Sequence, residues 1–168
     1  KGGRVPARES ARILGIPLGT KISDQLILSN TRMAQLTLEA VERFCRSAAA
    51  SVTRYHVKPI QGIDEATMKA VAAAVHPYAV KAWADLCNPA GRLRFTPDHF
   101  LKMWHLSCPL LKYDYILFDE AQDADPLIAD VVQAQRTQLI AVGDRCQSIY
   151  AWRGAIDALA DWPARYRL

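Results

Sequence analysis

Cysteine is scarce in this 168-residue chain, and Cys45, Cys87, Cys108 and Cys146 form no C-x-x-C pair. That excludes a zinc ribbon and the disulfide framework of a small secreted domain, and predicts reduced, mostly buried thiols. The four histidines also lack metal-ligand spacing, so metal chemistry has to come from carboxylates. No apolar run approaches the ~20 residues needed to cross a bilayer. The chain opens on Lys1-Gly2-Gly3-Arg4, with neither an initiator Met nor a signal-peptide pattern. The expectation is an internal piece of a longer intracellular protein.

What is present is 51% hydrophobic residues, enough for one core with a helical appendage. Net charge is +4, from 21 Lys/Arg and 17 Asp/Glu, but it is unevenly spread. Residues 1–60 carry ten Lys/Arg against four Asp/Glu, whereas residues 114–161 carry three Arg against nine Asp/Glu. A basic front and an acidic back suit a protein that meets a polyanion in one place and a divalent cation in another, although solvated surface gives the same split.

The front reads as helices. Ala7–Gly15 has helical spacing that stops at glycine, and Pro17 and Gly19 predict an irregular stretch after it. Leu36, Ala40, Val41, Phe44 and Cys45 recur as one apolar face of a helix over about 31–49. A second helix is expected over about 64–86, with Asp64 and Glu65 in its acidic first turn and Pro77 bending or dividing it. Thr96, Pro97 and Asp98 open a third helix to about Leu106, whose Phe100, Met103 and Trp104 stripe is expected to pack.

At Tyr113 the texture changes. Tyr115-Ile116-Leu117-Phe118 is an apolar run ending in Asp119-Glu120, as expected of a buried parallel strand that delivers carboxylates at its C-terminal edge. Asp125-Pro126 opens a helix to about Gln135, and 138–143 (QLIAVG) is a second buried strand ending in Asp144. Strand, helix, strand predicts a right-handed βαβ unit. The fold expectation is a helical part, 1–110, followed by an α/β part, 111–168.

Two motifs carry chemistry. The first is D-E-A-Q-D, residues 119–123. Hydrolysis of a phosphoanhydride needs a magnesium ion on the phosphates and a group that positions the attacking water. Adjacent carboxylates at a strand end can divide these tasks, with Asp119 holding the ion through its water shell and Glu120 activating the water. Alone, the pair reads equally as a capped loop. The second is G-D-R-C-Q-S-I-Y-A-W-R-G-A, residues 143–155. Gln147 offers an amide able to sense a γ-phosphate, and Tyr150 and Trp152 offer faces on which any base can stack. Taken alone, those aromatics read as core.

Together, D-E-A-Q-D and V-G-D-x-x-Q-S-I-Y-x-W-R-G-A resemble the second and third motifs of the superfamily 1 UvrD/Rep-type DNA helicases. The wording LFDEAQDADP and GDRCQSIYAWRGAIDAL is similar to the F-box DNA helicase branch and its bacterial relatives. The match covers about 113–160. For the helical front it is positional only, since the family inserts a helical subdomain, 1B, before the second motif.

The resemblance implies a partial P-loop (RecA-like) parallel sheet preceded by that subdomain. It implies an ATP-dependent 3′→5′ DNA helicase using ATP and Mg2+, with single-stranded or duplex DNA as partner. It assigns Asp119 to magnesium, Glu120 to water activation and Gln147 to the γ-phosphate. Tyr150, Trp152 and Arg153 are assigned to DNA, and Gln122 and Asp123 to bracing the loop between the sites. The implied location is cytoplasmic, with nucleoid association in a bacterium.

A phosphate-gripping G-x-x-x-x-G-K-[ST] loop should accompany these motifs. The near miss at Gly15–Lys21 is one residue short between its glycines, has Thr before Lys, and follows no strand. The true loop is therefore expected upstream of Lys1 and a second RecA-like domain beyond Leu168, so the piece alone is expected to hydrolyse no ATP. Two rivals remain. One is a DNA-binding or regulatory module that keeps the fold without the motor. The other is a carboxylate metal nuclease using Asp144 beside Asp119, which leaves the Q-S-I-Y-x-W-R-G run unexplained.

Overall fold

The computed structural model describes residues 6–149 and 158–159. These fall into two compact units, 6–45 with 49–100, and 46–48 with 101–149 and 158–159.

The first unit is mostly helical. Helix α1 (Ala7–Leu14) ends where Gly15 adopts the left-handed region, φ 68°. The Gly15 and Ile16 N–H groups donate back to the Arg12 and Ala11 carbonyls, and the Lys81 ammonium donates to the Leu14 carbonyl. This doubly bonded terminus suits a residue without Cβ. Gly15 therefore closes a helix, and Gly19–Lys21 is a short strand, β1, paired antiparallel with β2 (Ile27–Ser29). The stretch predicted to be irregular is a small hairpin, and the near-miss glycine segment forms no phosphate loop.

Helix α2 (Asn30–Cys45) buries Met33, Leu36, Thr37, Ala40, Val41, Phe44 and Cys45, the face its periodicity indicates. It stops short of the expected residue 49. Helix α3 (Glu65–Cys87) is capped by Asp64, whose carboxylate accepts from the Thr67 N–H at 2.9 Å and from its hydroxyl. Those bonds, the hydroxyl foremost, hold the Asp64 carboxyl below its ordinary range. Of the two expectations for Pro77, division is not met: α3 runs through it as one helix. Removing one N–H costs about 3 kcal/mol, which the burial of Val71, Val75, Ala79, Ala82 and Leu86 along the helix offsets. Phe44 meets Trp83 and His56 edge-on, with centroids 5.2 and 5.5 Å away.

Helix α4 (Pro97–Leu106) departs most from expectation. Phe100 is 65% exposed and Met103 and Trp104 are half-buried, while the buried residues are His99, Lys102 and His105. The burial of His99 pushes its imidazole pKa down, partly opposed by Asp98. In the second unit, Lys102 Nζ donates to the Ser47 carbonyl at 2.7 Å and lies 3.3 Å from His105 Nδ1. His105 Nε2 lies 2.7 Å from the Asp130 carboxylate. Each buried polar atom here meets a partner, the condition under which such burial is tolerated.

The second unit contains β3 (Tyr115–Phe118), α5 (Pro126–Gln133) and β4 (Gln138–Ala141). The strands pair in parallel, Tyr115 opposite Gln138 and Phe118 opposite Ala141. Asp125 caps α5 through the Leu127 N–H, with Pro126 in its first turn. One core cluster is built of small residues, Ala121, Ala124, Ala129 and Ala158, with Phe118, Ala141 and Leu159 packed against it, and α5 also buries Leu127, Val131 and Val132. The strands are not buried on both faces as expected. Tyr115, Leu117, Ile140 and Val142 stay exposed, because the described residues cover only the face bearing Phe118 and Ala141. The architecture is mixed α/β with, among the described residues, a two-stranded parallel sheet.

The thiols also differ from expectation. Cys45 is buried, Cys87 is half-buried with its thiol pKa pushed up by burial, and Cys108 and Cys146 are exposed. Cys108 lies just past the end of α4 at φ 49°, its exposed thiol 3.9 Å from the Leu106 carbonyl.

Candidate functional site

The ends of β3 and β4 lie side by side. The ladder continues one step past the strands, as Val142 N–H donates to the Phe118 carbonyl at 2.9 Å and Ala121 N–H to the Val142 carbonyl at 3.0 Å. Both chains then leave the sheet at the same edge, which places the residues of the two motifs within reach of one another.

Asp119 and Glu120 are exposed at the exit of β3. Glu120 sits in the left-handed region, φ 53° and ψ 37°, a conformation costing a non-glycine residue ~1–2 kcal/mol. Asp119 Oδ1 accepts from the Glu120 N–H at 2.9 Å. A single turn, Ala121–Asp123, follows and points Gln122 into the interior.

Gln122 is 1% exposed and uses both ends of its amide. Its Nε2 donates to Glu120 Oε2 at 2.5 Å, and its Oε1 accepts from the Asp144 N–H at 3.0 Å. One buried side chain therefore ties the carboxylate after β3 to the backbone after β4. Gly143 makes this possible: a Cβ there would overlap Gln122 Oε1, 3.0 Å from Leu159 Cδ1 and 3.1 Å from the Ala121 nitrogen. Asp123 adds a second tie, accepting from the Ser148 hydroxyl at 3.1 Å and the Ile149 N–H at 3.0 Å.

The loop after β4 begins with Asp144, whose carboxylate accepts from the Cys146 N–H at 2.9 Å and from Gln147 Nε2 at 3.0 Å. Gln147 closes the single turn Arg145–Gln147. The structure thus brings Asp119, Glu120, Gln122, Asp123, Asp144 and Gln147 to one sheet edge. Tyr150, Trp152 and Arg153 lie outside the described residues.

Among the described residues, no group of three His, Cys, Asp or Glu is arranged to hold a metal ion. Asp119 is a single exposed carboxylate with Oδ1 engaged by backbone. That donor set fits a magnesium ion that keeps most of its waters and takes its other ligands from phosphate oxygens, not a protein cage.

Two features of the site gave little sequence signal. Gly143 reads as the last residue of the second buried strand, yet its need is for space, against Gln122. The left-handed Glu120 is invisible in composition, since Glu is not a residue that favours this region.

Residues 83–159 match the UvrD/REP helicase N-terminal domain family. F-box DNA helicase 1 of Gallus gallus is 47% identical over 73 residues, which is 43% of this chain and 7% of that protein. F-box DNA helicase protein 1 of Schizosaccharomyces pombe is 41% identical over 83 residues, 46% of this chain and 10% of that protein. The chain thus spans a tenth or less of the length of these two relatives. Both are eukaryotic and lend no support to the expected nucleoid association. No solved structure matches the chain. No helix among the described residues is long and apolar enough to cross a membrane.

Proposed function

We propose, from the match of residues 83–159 to the UvrD/REP helicase N-terminal domain family, that this segment couples ATP hydrolysis to movement along single-stranded DNA. The parent activity is ATP-dependent 3′→5′ unwinding. Residues 1–110 act as a helical 1B-like subdomain and 111–168 as part of the first RecA-like domain.

The observation that carries this reading is the double hydrogen bond of Gln122. A carboxylate that activates water has to report its state to a segment that holds DNA, and the buried amide joins Glu120 directly to the backbone of the second motif. In this assignment Asp119 would hold magnesium, which would supply charge screening for the phosphates. Glu120 orients and deprotonates the attacking water. Gln147, beside Asp144, turns its amide to the γ-phosphate. Tyr150 and Trp152 stack on bases and Arg153 meets the backbone or links the loop to the nucleotide. Gln122 and Asp123 are positioning residues.

The test uses the full-length parent. Glu120→Gln should retain ATP binding and abolish turnover, and Trp152→Ala should weaken single-strand binding and unwinding more than nucleotide affinity. Gln122→Leu should lose the stimulation of ATPase by single-stranded DNA by a larger factor than it lowers the basal rate. Equal loss of ATP and DNA binding in Glu120→Gln and Trp152→Ala would show that these residues serve folding. ATP binding without turnover by the unaltered parent would establish a regulatory module in place of a motor.

A further inference from the structure

The first unit holds an aromatic ring in water by a rigid mount. Tyr55 is 92% exposed, the highest value among the large hydrophobic side chains of the described residues. It occupies the middle of a single turn, Arg54–His56, whose ends are locked together. The Thr53 N–H donates to His56 Nδ1 at 2.9 Å, and the Thr53 hydroxyl lies 3.0 Å from the same nitrogen. His56 is buried and meets Phe44 edge-on, anchoring the turn in the helical core. The backbone under Tyr55 is therefore fixed while its ring touches almost nothing. An exposed ring on a fixed turn loses little conformational freedom when it binds a flat partner.

The charge along the chain on either side of it has one sign. Arg54 and Lys58 are exposed on either side, and neither pairs with a carboxylate among the described residues. From residue 43 to residue 63 the sequence contains Arg43, Arg46, Arg54 and Lys58 and no Asp or Glu. A projecting aromatic flanked by unpaired cations is the pattern that grips unpaired nucleotides, with the ring on a base and the cations on neighbouring phosphates.

We propose that the turn 53–58 is a second single-stranded DNA contact, separate from the loop after β4, with Tyr55 stacking on an unpaired base and Arg54 and Lys58 meeting the flanking phosphates. This rests on the reading that the chain acts on DNA. A duplex offers Tyr55 no base face except at its ends, so the contact selects single strands.

The test is fluorescence anisotropy of the full 168-residue chain with labelled dT20 and with a blunt 20-base-pair duplex, across a salt series. Tyr55→Ala should weaken dT20 binding roughly 5- to 100-fold, and Tyr55→Phe should stay within about twofold because the ring face is kept. Arg54→Ala with Lys58→Ala should reduce the slope of log K against log salt by about 1.4, at ~0.7 per phosphate contact. Thermal melts of Tyr55→Ala should match the unaltered chain, since the ring is in water. Wild-type affinity in Tyr55→Ala, equal weakening on duplex and dT20, or equal weakening in Tyr55→Phe would each overturn the proposal. Failure here leaves the Glu120→Gln and Trp152→Ala outcomes intact, so the two readings fail separately.

Discussion

Replacing Gly143 by alanine should destabilise the second unit out of proportion to the one methyl group added. The reason is space, not backbone freedom, because Gly143 has no positive φ. The new Cβ would overlap Gln122 Oε1 and crowd Leu159 Cδ1 and the Ala121 nitrogen. Gln122 is buried, so its amide cannot turn aside without giving up the Asp144 N–H and the Glu120 carboxylate. Orphaning a buried polar group costs about 1–3 kcal/mol, and overpacking about 1–3 kcal/mol. The bond to exposed Glu120 counts for less because water replaces it, which leaves a net loss of about 2–4 kcal/mol.

Urea unfolding followed by circular dichroism reads this directly. Two controls give the test its edge. Gly62→Ala, at φ 83° with nothing within 4 Å of the added carbon, should cost only the ~1–2 kcal/mol of a left-handed backbone. In a Gln122→Ala background the clash partner is gone, so Gly143→Ala should cost under about 1 kcal/mol, a coupling of about 1–3 kcal/mol. A Gly143→Ala loss below about 0.5 kcal/mol, or strict additivity with Gln122→Ala, would refute the reasoning.

Pro77→Ala restores an N–H inside α3 at an exposed position; a gain of about 1–2 kcal/mol in urea unfolding is expected. Lys102→Met keeps the buried stem and should cost about 1–2 kcal/mol, whereas Lys102→Ala adds a cavity and should cost about 2–4 kcal/mol; equal losses would show that stem packing is immaterial. His99 has a depressed folded pKa, so the unfolded state takes up its proton first as pH falls. Its contribution should be complete above the ordinary histidine value and be lost as pH drops through the folded pKa. The urea midpoint should therefore fall on the acid side of neutrality, and His99→Gln should flatten that part of the curve.

Much of the chain is legible where one local signal decides the outcome. Gly15 ends α1, Asp64 caps α3, Asp125-Pro126 opens α5, and the period of α2 names its buried face, because each depends on a few neighbours. The strand before Asp119-Glu120 is legible for the same reason, as an apolar run between polar turns. The failures sit where tertiary context outvotes local preference. Three-residue strands such as β1 and β2 carry too few side chains for a period to register. Helix α4 misleads because its apolar residues suggest one inward face, while the Ser47 carbonyl and Asp130 supply partners that make another face habitable for Lys102 and His105. Gln122 was legible only through family resemblance. Its double bond depends on two strand ends meeting, which no local window contains.

The left-handed Glu120 has a consequence for protein engineering. Glycine or asparagine would occupy that conformation at lower cost, so apart from the bond from Gln122 the fold has no reason to keep glutamate there. A selection for thermal endurance alone would drift towards those residues, and its winners would be sturdier proteins without the carboxylate. On the role proposed for Glu120, endurance and activity pull in opposite directions at this position.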